Sequence, residues 1–185
     1  MNDRTLALLG ILGASVALYF WSKTNSGAAF VTGTANAVGD ALSGTPRGIR
    51  NNNPGNIRRT SDQWLGALNP AQVQALGLEW DPDFVQFDTP EHGLRALAIV
   101  LRSYAARGLT TVGDIISTYA PGTENNTTAY IAAVSQSLGV APNAPIDVAT
   151  SVPAMMSAIT VHENGEDPYT TSLYVQAEAD AAQHS

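Results

Sequence analysis

The chain has 185 residues, of which 44% are hydrophobic and 14% charged, enough apolar side chains for one folded domain with an appendage. Its net charge of −7 argues against a nucleic-acid partner, because nucleic-acid-binding domains usually carry a basic face. There is no Cys, which excludes disulfides and thiolate metal sites, and His92, His162 and His184 lack ligand spacing, so neither a metal nor a cofactor is expected.

From the N-terminus, Thr5 to Trp21 is uncharged and mostly apolar, ends in Tyr19-Phe20-Trp21 and is followed by Lys23. A run of roughly 17 such residues is near the short limit for spanning a bilayer, and aromatics favour the membrane interface. The run therefore predicts one N-terminal transmembrane helix within residues 1–23, with a lipid bilayer as partner through residues 5–21. A cleaved signal peptide and a buried core helix are the alternatives. The first suffers from a barely basic start, the second from an apolar surface on every side. Residues 24–46, rich in Gly, Ala, Ser, Thr and Asn, read as a flexible linker with a weak helix around Thr34 to Leu42.

The folded domain is expected over 47–169. It opens with Arg-Gly-Ile-Arg-Asn-Asn-Asn-Pro-Gly-Asn-Ile-Arg, Arg47 to Arg58. Three Asn before Pro54-Gly55 suit neither a helix interior nor a central strand, so this is a tight turn. Its amides lie among Arg47, Arg50, Arg58 and Arg59, a local basic patch on an acidic chain and a surface suited to a hydroxyl- and acetamide-rich glycan. The same Asn side chains could equally bond only to their own backbone.

Asn69-Pro70 starts a short helix that Gly77 ends, and Phe84-Val85-Gln86-Phe87 is the best strand candidate. Thr89 caps a long helix with Leu94, Leu97, Ala98, Leu101, Tyr104 and Ala105 on one face, ended by Gly108. Thr111 caps the next, with Val112, Ile115, Ile116 and Tyr119 inward. Asn126 or Thr127 caps another, with Tyr130, Ile131, Val134 and Leu138 inward and Gly139 after it. Pro153 starts a further helix with Met155, Met156 and Ile159 inward, ending at Glu163-Asn164-Gly165. Residues 170–185 form an acidic, Ala-rich tail, expected as a surface helix. The fold class is therefore mainly α (α+β): a helical domain with a small β element.

Three acids could carry chemistry. Glu91 sits in a helix first turn, where the helix dipole is explanation enough. Glu124 precedes Asn125-Asn126 in a loop and either faces solvent or lines a groove. Glu163 ends an apolar helix, where the negative helix end and low-polarity neighbours both penalise a charged carboxyl. That suits a general acid working on a glycosidic oxygen. An exposed, mildly unfavourable C-terminal Glu is the other reading.

Ala158-Ile159-Thr160-Val161-His162-Glu163-Asn164-Gly165 resembles the catalytic helix end of lysozyme-like murein hydrolases. Asn52-Asn53-Pro54-Gly55-Asn56-Ile57 is similar to the Asn-rich turn of bacterial and phage glucosaminidases, and Phe84 to Tyr104 resembles the strand and helix that follow it. Tyr119-Ala120-Pro121, with Asn126 and Tyr130-Ile131, looks like the cleft-lining Tyr segment of that superfamily. The Asn-rich opening with the later Glu124-Asn125-Asn126-Thr127 and Glu163-Asn164-Gly165 also resembles small phage virion proteins of the murein-hydrolase type. The order departs from the superfamily: the acid helix comes last, as in a circular permutation.

This resemblance, spread over Arg47 to Tyr169, implies a lysozyme-like domain and a phage virion-associated, membrane-anchored enzyme. It would cleave the glycan strand of peptidoglycan as a muramidase or lytic transglycosylase. Glu163 would be the catalytic acid and Glu124 the alternative. Asn52, Asn53, Asn56, Gln86, Tyr119 and Tyr130 would bind the sugar. Other virion proteins are further expected partners. The anchor would lie in a virion or host inner membrane, with the domain facing the periplasm. The alternative is a non-catalytic phage virion structural protein, membrane-associated or glycan-binding.

Overall fold

The computed structural model describes residues 16–20, 29–33, 44–122 and 126–183. The chain divides into two compact units, residues 1–44 with 69–80 and residues 45–68 with 81–185.

In the first unit, β1 (Val16–Phe20) pairs antiparallel with β2 (Ala29–Gly33), Leu18 opposite Val31 and Tyr19 opposite Phe30. This corrects the predicted transmembrane helix. Val16 to Phe20 is extended and paired where that helix should run to Trp21, and no helix among the described residues is long and apolar enough to cross a membrane. The β-branched and aromatic residues Val16, Tyr19, Phe20, Phe30, Val31 and Thr32 favour a pleated pair over a helix. The rest of the expected anchor, residues 5–15 and 21, and the weak helix at Thr34 to Leu42 lie outside the described residues. The short helix α2 (Pro70–Ala75) carries a capping box. Asn69 Oδ1 accepts from Gln72 N, and Gln72 Oε1 accepts from Asn69 N.

The second unit is helical. It holds α1 (Arg47–Arg50), α3 (Pro90–Ala106), α4 (Val112–Tyr119), α5 (Thr127–Leu138), α6 (Val148–Asn164) and α7 (Thr171–Ala182). Thr89, Thr111, Asn126 and Thr170 each cap a helix, accepting from His92 N, Asp114 N, Ala129 N and Leu173 N. Such a cap contributes about 1 kcal/mol. The core forms where α3 and α6 pack on each other and on their neighbours. Leu94, Leu97 and Leu101 of α3 share one apolar cluster with Val152, Met155, Met156 and Ile159 of α6 and with Ile115, Ile116 and Val134, all fully buried. Each such side chain stabilises by roughly 1.5–3 kcal/mol relative to exposure.

Two local expectations change, and the tail gains a packing role. Phe84 to Phe87 is not a strand. Phe84 and Phe87 form isolated bridges to Arg58 and Ala67, whose intervening residues are too many to run as one strand beside Phe84 to Phe87. Pro153 lies inside α6, which begins at Val148, and its missing N–H costs the helix one backbone bond. The tail forms the expected helix, with Thr171, Ser172, Val175, Gln176 and Ala179 exposed and one face turned inward. Tyr174, Ala177 and Ala181 of α7 are buried, α7 packs on α3, and Arg102 Nη1 donates to Glu178 Oε1 at 2.7 Å.

Candidate functional site

The Asn turn and the end of α6 meet. Asn56 Nδ2 donates to Glu163 Oε2 at 2.9 Å. One residue on, Asn164 Nδ2 donates to Pro54 O at 2.8 Å and to Thr160 O at 2.9 Å. Tyr119, the last residue of α4, donates its hydroxyl to Gly55 O. The turn is thus gripped by α6 and α4 together.

Its local geometry follows from its residues. Asn52 and Asn56 take positive φ, 51° and 50°, a left-handed conformation that Asn tolerates better than most side chains. A β-carbon on Gly48 would collide with Asn164 Oδ1 and lie 2.9 Å from both Asn53 O and Asn56 Oδ1. One on Gly55 would sit 2.5 Å from the Tyr119 hydroxyl oxygen and 2.9 Å from Leu97 Cδ1. Only Gly lets the helices approach the turn this closely.

The expected sugar-binding residues separate into two groups. Asn56, Tyr119 and Tyr130 gather around Glu163. Asn52, Asn53 and Gln86 instead hold the turn itself. Asn53, fully buried, donates to Ile57 O at 2.9 Å and Val85 O at 2.8 Å and accepts from Ile57 N. Asn52 donates to Phe87 O at 3.0 Å, and buried Gln86 accepts from Asp81 N at 2.9 Å. Glu124 lies outside the described residues. Glu91 is exposed in the first turn of α3.

The arginines are also engaged. Arg47 donates through Nε and Nη2 to the two oxygens of Asp81, at 2.7 and 2.6 Å, and Arg59 Nε donates to Asp81 O. Arg47 and Arg58 both lie over the Phe84 ring. Burial alone would raise the Asp81 pKa. The Arg47 fork, the Phe84 and Asp83 amides and the Asn51 side chain outweigh it and hold the carboxyl well below the usual range. The basic patch read from the sequence is therefore in large part an internal anchor of the turn.

Around Glu163 the electrostatics point one way. Burial, then the Glu163 charge, raise Tyr119 well above the ordinary tyrosine value. Burial, then Tyr119 and Glu163, do the same for Tyr130. Both phenols stay protonated through neutral and mildly alkaline pH, so each can donate a hydrogen bond and neither serves as a base. Among the described residues no group of three or more His, Asp or Glu could hold a metal ion.

Asn164, His162, Gly48 and Asp81 were not picked out as site residues from the sequence. Asn164 stands in the Glu-Asn-Gly that drew notice only for its acid. The His162 ring stacks on Tyr130, centroids 3.6 Å apart. It also forms one wall of an open pocket of about 330 Å³, lined otherwise by Ala133, Ser137, Ala158 and Val161. The Asp-Pro-Asp at 81–83 was the available signal for the anchor, since Asp favours such backbone-bonded turns.

These features define a helical domain that seats the acid-bearing end of one helix on an Asn-rich turn. No known family model matches the chain. It is similar to Protein P5 of Pseudoalteromonas phage PM2, with 42% identity over 146 residues, 74% of this chain and 86% of that protein. The chain belongs to the family of that phage protein.

Proposed function

We propose that this phage protein cleaves the glycan strand of peptidoglycan, with Glu163 as the general acid. The carrying observation is the Asn56–Glu163 hydrogen bond, which joins the two segments that resemble murein hydrolases. In this reading the Glu163 proton passes to the glycosidic oxygen and the bond from that oxygen to the anomeric carbon breaks. A hydroxyl of the substrate then attacks the anomeric carbon and returns its proton to Glu163. No second carboxylate stands at the Asn56–Glu163 contact among the described residues, which suits this single-acid course over two-carboxylate hydrolysis. Tyr130, protonated and close to the acid, adds a neutral donor. Mass analysis of purified peptidoglycan incubated with the full chain tests the proposal. Glycan fragments one water lighter than the hydrolytic product are expected. Intact strands, or cuts only in the peptides, would count against it.

A second reading is a non-catalytic virion structural protein. It is favoured by the burial of Asn53, Gln86 and Tyr130, three of the six expected sugar contacts. Direct binding to insoluble peptidoglycan without release of fragments would support it.

A further inference from the structure

Tyr130 does not stand on the wall of a groove. Only 1% of it is exposed, and its ring lies nearly flat on His162, the planes 16° apart. A ring so enclosed has no face free to stack on a sugar. Its hydroxyl is buried, and among the described residues no well-aligned hydrogen bond reaches it, which is uncommon for a desolvated donor.

Glu163 is the carboxylate within its reach. The hydroxyl lies within the electrostatic reach of Glu163 and Tyr119. Tyr119 already donates to Gly55 O. Glu163 accepts from Asn56 through Oε2, and among the described residues no donor bonds its Oε1. His162, stacked on the phenol, precedes Glu163 on the last turn of α6, so the stack seats the ring against the helix turn that carries the acid.

We propose that Tyr130 is a positioning residue for Glu163. A small rotation of the Glu163 side chain brings Oε1 onto the Tyr130 hydroxyl, and the carboxyl is then held between that phenol and the Asn56 amide. The consequence for catalysis rests on the reading of Glu163 as the acid. The contact itself does not.

A double-mutant cycle on the full chain, read by urea unfolding, tests the contact with Tyr130→Phe, Glu163→Met and the pair. Phe keeps the ring and its stack, so folding is retained. If the hydroxyl bonds Glu163, Tyr130→Phe destabilises the protein when Glu163 is present. It is neutral or stabilising in the Glu163→Met background, because the buried hydroxyl there has no partner. The two effects should depart from additivity by about fivefold in the unfolding constant. Additivity within about twofold would overturn the proposal.

Cleavage of soluble peptidoglycan fragments supplies the second readout. Tyr130→Phe should lower kcat about tenfold with KM unchanged, as expected for loss of an interaction that orients the acid. A raised KM with kcat intact would make Tyr130 a sugar contact and overturn the proposal. Wild-type protein that cleaves nothing would overturn the catalytic reading, while the unfolding cycle still decides the contact.

Discussion

Asn56 Nδ2 stands 2.9 Å from Glu163 Oε2, a hydrogen bond between residues 107 positions apart. It joins the turn that follows α1 to the last turn of α6, and it orients both groups. The Asn56 amide has a fixed sense, since its oxygen faces Gly48 while its nitrogen faces the carboxylate. Asn56→Asp replaces that donor with a second carboxylate. The variant should lose about 1–3 kcal/mol at pH 7 by urea unfolding. The loss should shrink in a Glu163→Gln background, where the carboxylate repulsion is absent. An equal loss in both backgrounds would mean that the two groups do not meet.

Gly48 of α1 lies against the Asn164 side chain of α6. Gly48→Ala would drive a methyl group into Asn164 Oδ1 and against the Asn53 carbonyl. It should destabilise by about 1–3 kcal/mol, as overpacking does. The same change at Gly139, whose β-carbon would meet nothing within 4 Å, should cost less and only through its positive φ of 69°. Thermal melts of the two variants give the comparison.

Asp81 ties Arg47, Asn51 and the 83–84 backbone into one cluster, and the residue is 6% exposed. Asp81→Ala should cost about 3 kcal/mol, because it leaves buried donors without an acceptor. The pH dependence has a definite sign. The folded-state pKa of Asp81 is depressed, so its stabilisation is fully present above the unfolded carboxylate range near pH 4 and is lost as pH falls below it. Wild-type stability should therefore fall between about pH 4 and lower values more steeply than that of Asp81→Ala, as denaturant midpoints across that range would reveal.

Tyr119 clamps the turn from the other side, donating to Gly55 O. Tyr119→Phe should cost about 1 kcal/mol in stability. Faster exchange of the Asn56 amide, whose N–H bonds Asn53 O within the turn, should accompany it in hydrogen-exchange measurements. Unchanged exchange would mean that the clamp does not hold the turn closed.

The helical half of this fold was open to sequence reading because its signals are local. Thr89, Thr111 and Asn126 cap where their residue types say they should, and the Leu94–Leu97–Leu101 spacing marks the buried face of α3. The failures have non-local causes. Thr5 to Trp21 carries a membrane-like composition, yet the backbone of Val16 to Phe20 pairs with a segment from the supposed linker, a pairing that hydropathy cannot see. The tail forms the helix its composition suggests, but the docking of Tyr174, Ala177 and Ala181 on a distant helix is not visible in it. At the site, residue type pointed to the Asn turn and to Glu163. Which Asn bonds backbone and which meets the acid depends on the positive φ at Asn52 and Asn56 and on a contact between distant residues. Neither leaves a periodic trace in the sequence.

The account turns on Glu163, and clearing of a purified peptidoglycan suspension by the full chain tests it most directly. Wild-type protein should lower the turbidity. Glu163→Gln, with its fold checked by circular dichroism, should do so at least about a hundredfold more slowly, the usual loss when a general acid is removed. Equal clearing by the two proteins, or none by either across a range of pH, would contradict it.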